Sequence, residues 1–188
     1  MVHLIRHTRP EVAPGICYGR SDVPLAATAT EEIQAVVNQL PQVDAVLTSP
    51  AERCRRLASA IASTWNAPYA EDARLLELNF GCWEGRAWDD IERNEIDRWS
   101  ADLWNVAPGG GESLSQMWQR VAAFCTEHRL NQSHNADIHL VVVAHRGPLR
   151  VLHCLGRGVV FDRMFEVDFN FGLTGLRPWP QPEHAATP

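Results

Sequence analysis

The apolar positions of this chain follow two rhythms that alternate from one end to the other. Residues 2–6 ("VHLIR") are a nearly continuous apolar run, the pattern of a strand buried on both faces. A Pro/Gly-rich stretch from Thr8 to about Pro24 follows, long enough for a connection that a function is expected of it. Ile33, Val36, Val37 and Leu40 then recur at helical spacing, introduced by a Thr28/Glu31 capping-box pair and stopped by Pro41. "DAVLTSP" reads as a second strand ending near Ser49. "SPAE" opens a helix, with Ser49 as cap, Pro50 in the first turn and Cys54, Leu57, Ile61 and Trp65 on the buried face.

The second half repeats the alternation. A polar helical region dotted with tryptophan spans roughly 86–104 and ends at "PGGGES", expected to be flexible. Ser113 and Gln116 predict a capping box for a helix that turns Leu114, Met117, Val121, Phe124 and Cys125 inward. "IHLVVVAH" is the most hydrophobic strand and suits the centre of a parallel sheet. "GPLRVLHCLG" predicts a helix with Pro148 near its start and Gly156 after its end, and "FEVDFNFGLTGL" a last strand or two. Alternating strands and amphipathic helices predict an α/β three-layer sandwich, a mostly parallel sheet with helices on both faces. One domain over 1–180 is expected, with a small helical cap at about 82–112 and a loose tail at 181–188. At 188 residues there is room for one well-buried core and not for two comfortable ones.

Composition narrows the chemistry. A formal charge of −6 argues against a nucleic-acid partner, and no apolar run nears the roughly 20 residues that span a bilayer. Five scattered cysteines without a CxxC pair fit reduced thiols and a cytoplasmic setting, and no cluster has metal-ligand spacing. All 17 basic residues are arginine. Lysine chemistry, whether Schiff base or P-loop, is therefore excluded, and a bound anion must be held by Arg, His, backbone N–H groups or a metal.

Three of the strands end at His7, Ser49 and His145, and Arg53 follows one turn into the helix after the second. In parallel sheets ligands bind beyond the carboxyl ends of the strands, so these residues are expected to converge. Arg6, His7, Arg53 and His145 together would be a cluster of like charge that an anion relieves, and guanidiniums suit bidentate capture of phosphate. A neutral histidine there can attack phosphorus. The leaving alkoxide needs a proton, and Glu77, among Leu75, Leu76 and Leu78, is the leading acid because an apolar setting favours the protonated carboxyl. Glu84 is its rival, with a structural hydrogen-bonding role favoured.

"LIRHTRP", "YGRSDVPL", "TSPAERCRRLA", "LLELNFGCWEG", "GGGES" and "VVVAHRG", in this order, resemble the motifs of the histidine phosphatase superfamily, the phosphoglycerate-mutase-like fold. The resemblance implies His7 as nucleophile, Arg6, Arg53 and His145 as the phosphate pocket, Glu77 as proton donor, and Tyr18 and Gly19 at substrate. The chain departs from it where Thr8 and Arg146 replace frequent glycines after the two histidines, and Ala26 and Ala29 replace a frequent threonine and glycine. Arg146 is expected to narrow the pocket or touch phosphate. The function implied is metal-independent, cofactor-free hydrolysis of a small phosphomonoester through phosphohistidine, most like the alpha-ribazole phosphatases of cobalamin biosynthesis. The alternatives are a phosphoglycerate or sugar-phosphate mutase, a phosphatase of broad specificity, and a non-catalytic phosphate-binding regulatory module. A homodimer is left open. The five tryptophans between the acid and the next helix are expected to pack the cap, one or two of them facing substrate as the sharper alternative.

Overall fold

The computed structural model describes residues 1–130, 138–172 and the pair 177–178. The sheet has the order β3-β2-β4-β1-β5, formed by β1 (Val2–Arg6), β2 (Ala45–Thr48), β3 (Tyr69–Glu71), β4 (Leu140–Ala144) and β5 (Arg177–Pro178). Neighbours among the first four run parallel, and β5 lies antiparallel against β1. The central position of β4 follows from its "VVV" run: all of Val141–Ala144 is buried, which only a strand covered on both faces requires.

Alternation along the strands assigns each face. Ile5, Val46, Val141 and Val143 pack with α1 (Ala29–Val37) and α2 (Glu52–Trp65). Val2, Leu4, Leu47, Val142 and Ala144 pack with α4 (Leu114–Glu127) and α5 (Arg146–Arg157). The three-layer sandwich is therefore as the sequence predicts.

Several element ends differ from expectation for identifiable reasons. Thr28 occupies the cap position of α1, but its hydroxyl bonds Glu32 at 2.9 Å instead of a helix N–H. The cap position of α2 is Ala51, and the Ser49 hydroxyl accepts from the Ala51 N–H at 3.4 Å while it bonds His145 at 2.9 Å. Gly156 lies buried inside α5, which ends at Gly158 in the left-handed conformation. The cap region is helical only over α3 (Arg93–Ala101) and short 3-10 turns. The "PGGG" segment is fastened, with Glu112 N–H donating to the Asn79 carbonyl at 2.8 Å. In "FEVDFNFGLTGL", Phe161–Glu166 forms a 3-10 turn in place of a strand, and 173–176 and the expected tail at 181–188 lie outside the described residues. The Ser113/Gln116 capping box forms in full.

Candidate active site

Register alone brings the two histidines together. Arg6 pairs with Ala144 and Thr48 with Val143 in parallel ladders, so the next residues of each strand, His7, His145 and Ser49, leave the same edge of the sheet. The His7 N–H continues the ladder to the Ala144 carbonyl at 3.1 Å, and Ser49 N–H does so to Val143 at 3.0 Å. The imidazoles meet edge to face, with ring centroids 5.1 Å apart.

His7 is 1% exposed, and its Nδ1 lies 2.7 Å from the Thr8 carbonyl oxygen. A carbonyl only accepts, so Nδ1 carries the hydrogen, and the lone pair stays on Nε2. Burial, with the charges of Arg53 and Arg6 second, holds the His7 pKa well below the usual histidine range, so the ring is neutral near pH 7. His145 is likewise buried and depressed, first by burial and then by His7 and the same arginines. Its Nε2 shares a hydrogen bond with the Ser49 hydroxyl at 2.9 Å and touches the Cys54 sulfur at 3.5 Å.

The arginines are anchored and still have capacity to spare. Arg6 donates Nη1 to the Phe169 carbonyl at 2.9 Å, and its guanidinium lies 3.7 Å over the Phe171 ring. Arg53, fully buried, clamps the Thr8–Pro24 loop by donating to the carbonyls of Ser21 and Gly19 at 2.9 and 2.7 Å. Nε of both arginines and the Thr8 hydroxyl are buried without a hydrogen-bond partner. Orphaned buried donors of this kind are rare and costly, and around a strand-end histidine they describe the inside of an anion site. Tyr18 belongs to the same pocket: its hydroxyl lies beside the Arg6 guanidinium, and its ring is 5.6 Å from that of Arg53. Gly19 serves by being small. At φ +34 a Cβ would fall 2.4 Å from a Glu84 oxygen.

Glu77 and Glu84 separate cleanly. Glu84 accepts from the N–H groups of Arg20, Ser21 and Phe80 and from the Ser21 hydroxyl, so it staples the first loop to the turn at 80–84. Among the described residues the Glu77 carboxyl accepts only backbone N–H groups, from Leu78 at 3.0 Å and from Gly147 at 3.2 and 3.3 Å, the latter in the first turn of α5. Its setting is thus less apolar than the flanking leucines imply. Gly147 is a residue that sequence reasoning missed; a Cβ there would sit 2.3 Å from a Glu77 oxygen. Also missed was a brace behind Glu77. Arg20 and Arg120 both donate to the Glu77 carbonyl, at 3.0 and 3.1 Å, and Glu112 of "GGGES" bridges them at 2.7–2.9 Å. The motif was legible; the brace needs residues 20, 77, 112 and 120 to be seen together.

The family model described as the histidine phosphatase superfamily, branch 1, matches residues 2–181. The chain belongs to the histidine phosphatase superfamily. Among its curated relatives in that superfamily are phosphoserine phosphatase 1 of Hydrogenobacter thermophilus, 28% identical over 86% of this chain and 78% of the relative, and the adenosylcobalamin/alpha-ribazole phosphatase of Escherichia coli K12, 31% identical over 88% and 84%. The solved alpha-ribazole phosphatase of Shigella flexneri superposes with a TM-score of 0.81 at 27% identity, over 91% of this chain and 86% of that one. The superfamily's phosphatases make the chain a phosphatase enzyme of the phosphoglycerate-mutase-like fold.

Arg146, which stands where the motif has a frequent glycine, lines the cavity beside Glu77. It pairs with Asp168, Nε to Oδ1 at 3.0 Å and Nη2 to Oδ2 at 3.2 Å. Of the five tryptophans, Trp83, Trp88 and Trp99 pack together with Phe80, and Trp104 packs with Trp118 and Phe161. Trp99 is also part of a cavity wall beside Glu77.

Proposed function

We propose that the protein hydrolyses a small phosphomonoester through a phosphohistidine on His7, without a metal. The observation that carries this is the buried, neutral His7 with Nδ1 tied to a carbonyl and Nε2 left free, among guanidinium and hydroxyl donors that have no partner. Nε2 attacks phosphorus as the P–O bond to the alcohol breaks. Arg6, Arg53, His145 and the Thr8 hydroxyl take up the charge that develops on the phosphoryl oxygens. Glu77 gives its carboxyl proton to the departing oxygen, then takes one from the water whose oxygen displaces Nε2. The P–N bond breaks with its electron pair returning to His7, and inorganic phosphate leaves. The Nδ1–H to carbonyl bond supports the positive ring that exists in between.

Alpha-ribazole phosphate is the finer substrate reading. It is supported by the names of the relatives, and the apolar cavity beside Glu77 offers room for an aromatic base. The test is phosphate release from a panel holding alpha-ribazole phosphate, phosphoserine, 3-phosphoglycerate and sugar phosphates, with excess chelator present. Release should persist with chelator and fall at least about 1000-fold in His7→Ala. Loss of release with chelator, or a fully active His7→Ala, overturns the mechanism. Preference for phosphoserine over alpha-ribazole phosphate overturns the finer reading alone.

A further inference from the structure

The cavity beside Glu77 measures about 220 Å³. That is below the roughly 300–1,000 Å³ of drug-sized sites, and it suits a group of one or two rings. Its walls are mostly apolar, Phe80, Trp99, Met117 and Phe165 among them, and Glu77 and Gly147 line it as well. Because Glu77 must reach the departing oxygen, a cavity that shares Glu77 is where the alcohol half of the substrate goes. The indole N–H of Trp99 is buried without a partner, a donor in reserve for an acceptor on that alcohol.

Two further lining residues are arginines, Arg146 and Arg150. Alone they would invite a carboxylate. Both are engaged by one counter-ion. Asp168 holds Arg146 through two contacts, at 3.0 and 3.2 Å, and approaches Arg150 at 3.6 Å. Arg150 also donates Nε to the Val167 carbonyl at 2.8 Å and lies 5.5 Å over the Phe165 ring. A carboxylate entering this cavity would have to displace Asp168 from its partners or stand beside it as a like charge, and it would be desolvated by the apolar walls in either case.

We propose that Asp168 is a specificity-determining residue: by occupying Arg146 and Arg150 it leaves a leaving-group pocket that takes flat, apolar, uncharged alcohols, aromatic or heteroaromatic, and rejects alcohols that carry a carboxylate. This rests on the phosphatase reading above. It chooses within that reading, against small acidic substrates such as phosphoserine and 3-phosphoglycerate.

The experiment compares kcat/KM for benzyl phosphate with that for its para-carboxylate, two esters of similar intrinsic reactivity that differ by one charge. The wild type should favour the uncharged ester by at least about tenfold. Asp168→Asn, which removes the counter-charge from both arginines, should shrink that ratio about tenfold, the scale of one charge-assisted hydrogen bond. Asp168→Glu should keep it near the wild-type value. A ratio unmoved in Asp168→Asn, or a wild type that prefers the carboxylate, overturns the proposal. Should Asp168→Asn unfold, Phe165→Ala decides, since that side chain is 48% exposed and its removal spares the core. It should lower the ratio of benzyl phosphate to phosphoserine several-fold, and an unchanged ratio counts against the pocket. A protein that hydrolyses neither ester but does hydrolyse others loses this pocket only. One that hydrolyses no phosphomonoester loses the phosphatase reading as well.

Discussion

In the proposed mechanism Glu77 does two things that pull in opposite directions: it donates a proton in one half-reaction and accepts one in the next. Among the described residues its carboxyl accepts from the backbone N–H groups of Leu78 and Gly147, which hold it in place. The cations of the brace, Arg20 and Arg120, bind its main-chain carbonyl instead. Glu77→Gln keeps the shape and removes the transferable proton. We expect about a 100- to 10,000-fold loss of kcat on an alkyl phosphate and a much smaller one on 4-nitrophenyl phosphate, whose leaving group departs unaided. Equal losses on both would move the acid elsewhere. Glu112→Gln tests the brace: it leaves the acid intact and loosens its mounting, so about a tenfold fall in kcat with a lesser change in KM is expected.

At the level of elements, the first turn of α5 carries an unusual burden. Its cap residue, His145, makes no side-chain capping bond, since its ring is committed to Ser49 and Cys54. The N–H of Gly147 is satisfied by Glu77 from a distant segment, so the proposed acid doubles as a cap, a role worth roughly 0.5–2 kcal/mol elsewhere. Gly147→Ala separates the two effects. Alanine favours the helix by up to about 1 kcal/mol, while its Cβ pushes on the Glu77 carboxyl. Activity should therefore fall about 10- to 100-fold with little loss in melting temperature. Retained activity would mean that the carboxyl does not need this seat. Ser49 likewise divides its hydroxyl between the start of α2 and the second histidine.

For the whole molecule, the site and sheet edge store a pH dependence. His3 is buried and pushed down to about 4, and His7 and His145 lie well below their usual range, all three chiefly by burial. Each is neutral when folded and takes a proton in the unfolded chain below about pH 6.5. Their stability is therefore complete above that pH and lost as the pH falls, by up to about 2 kcal/mol per histidine at pH 5. Urea unfolding at pH 7.5 and pH 5 should show the loss, and added inorganic phosphate should raise stability at pH 7.5 by filling the anion site. A profile flat between the two pH values would mean that these rings are charged in the fold. What the sequence by itself determined was everything carried by local rhythm and spacing: the two-sided strand at "LVVVA", the amphipathic helices, the layer order, and the meeting of His7 with His145 that parallel strands ending alike impose. Tertiary structure alone decided which partner each polar side chain took. Ser49 went to His145, Glu84 to the loop it staples, Arg146 to Asp168 and the Glu77 carboxyl to Gly147. A hydrogen bond depends on angstroms between residues as far as 163 positions apart, as Arg6 and Phe169 are, and periodicity along a chain holds no record of that distance.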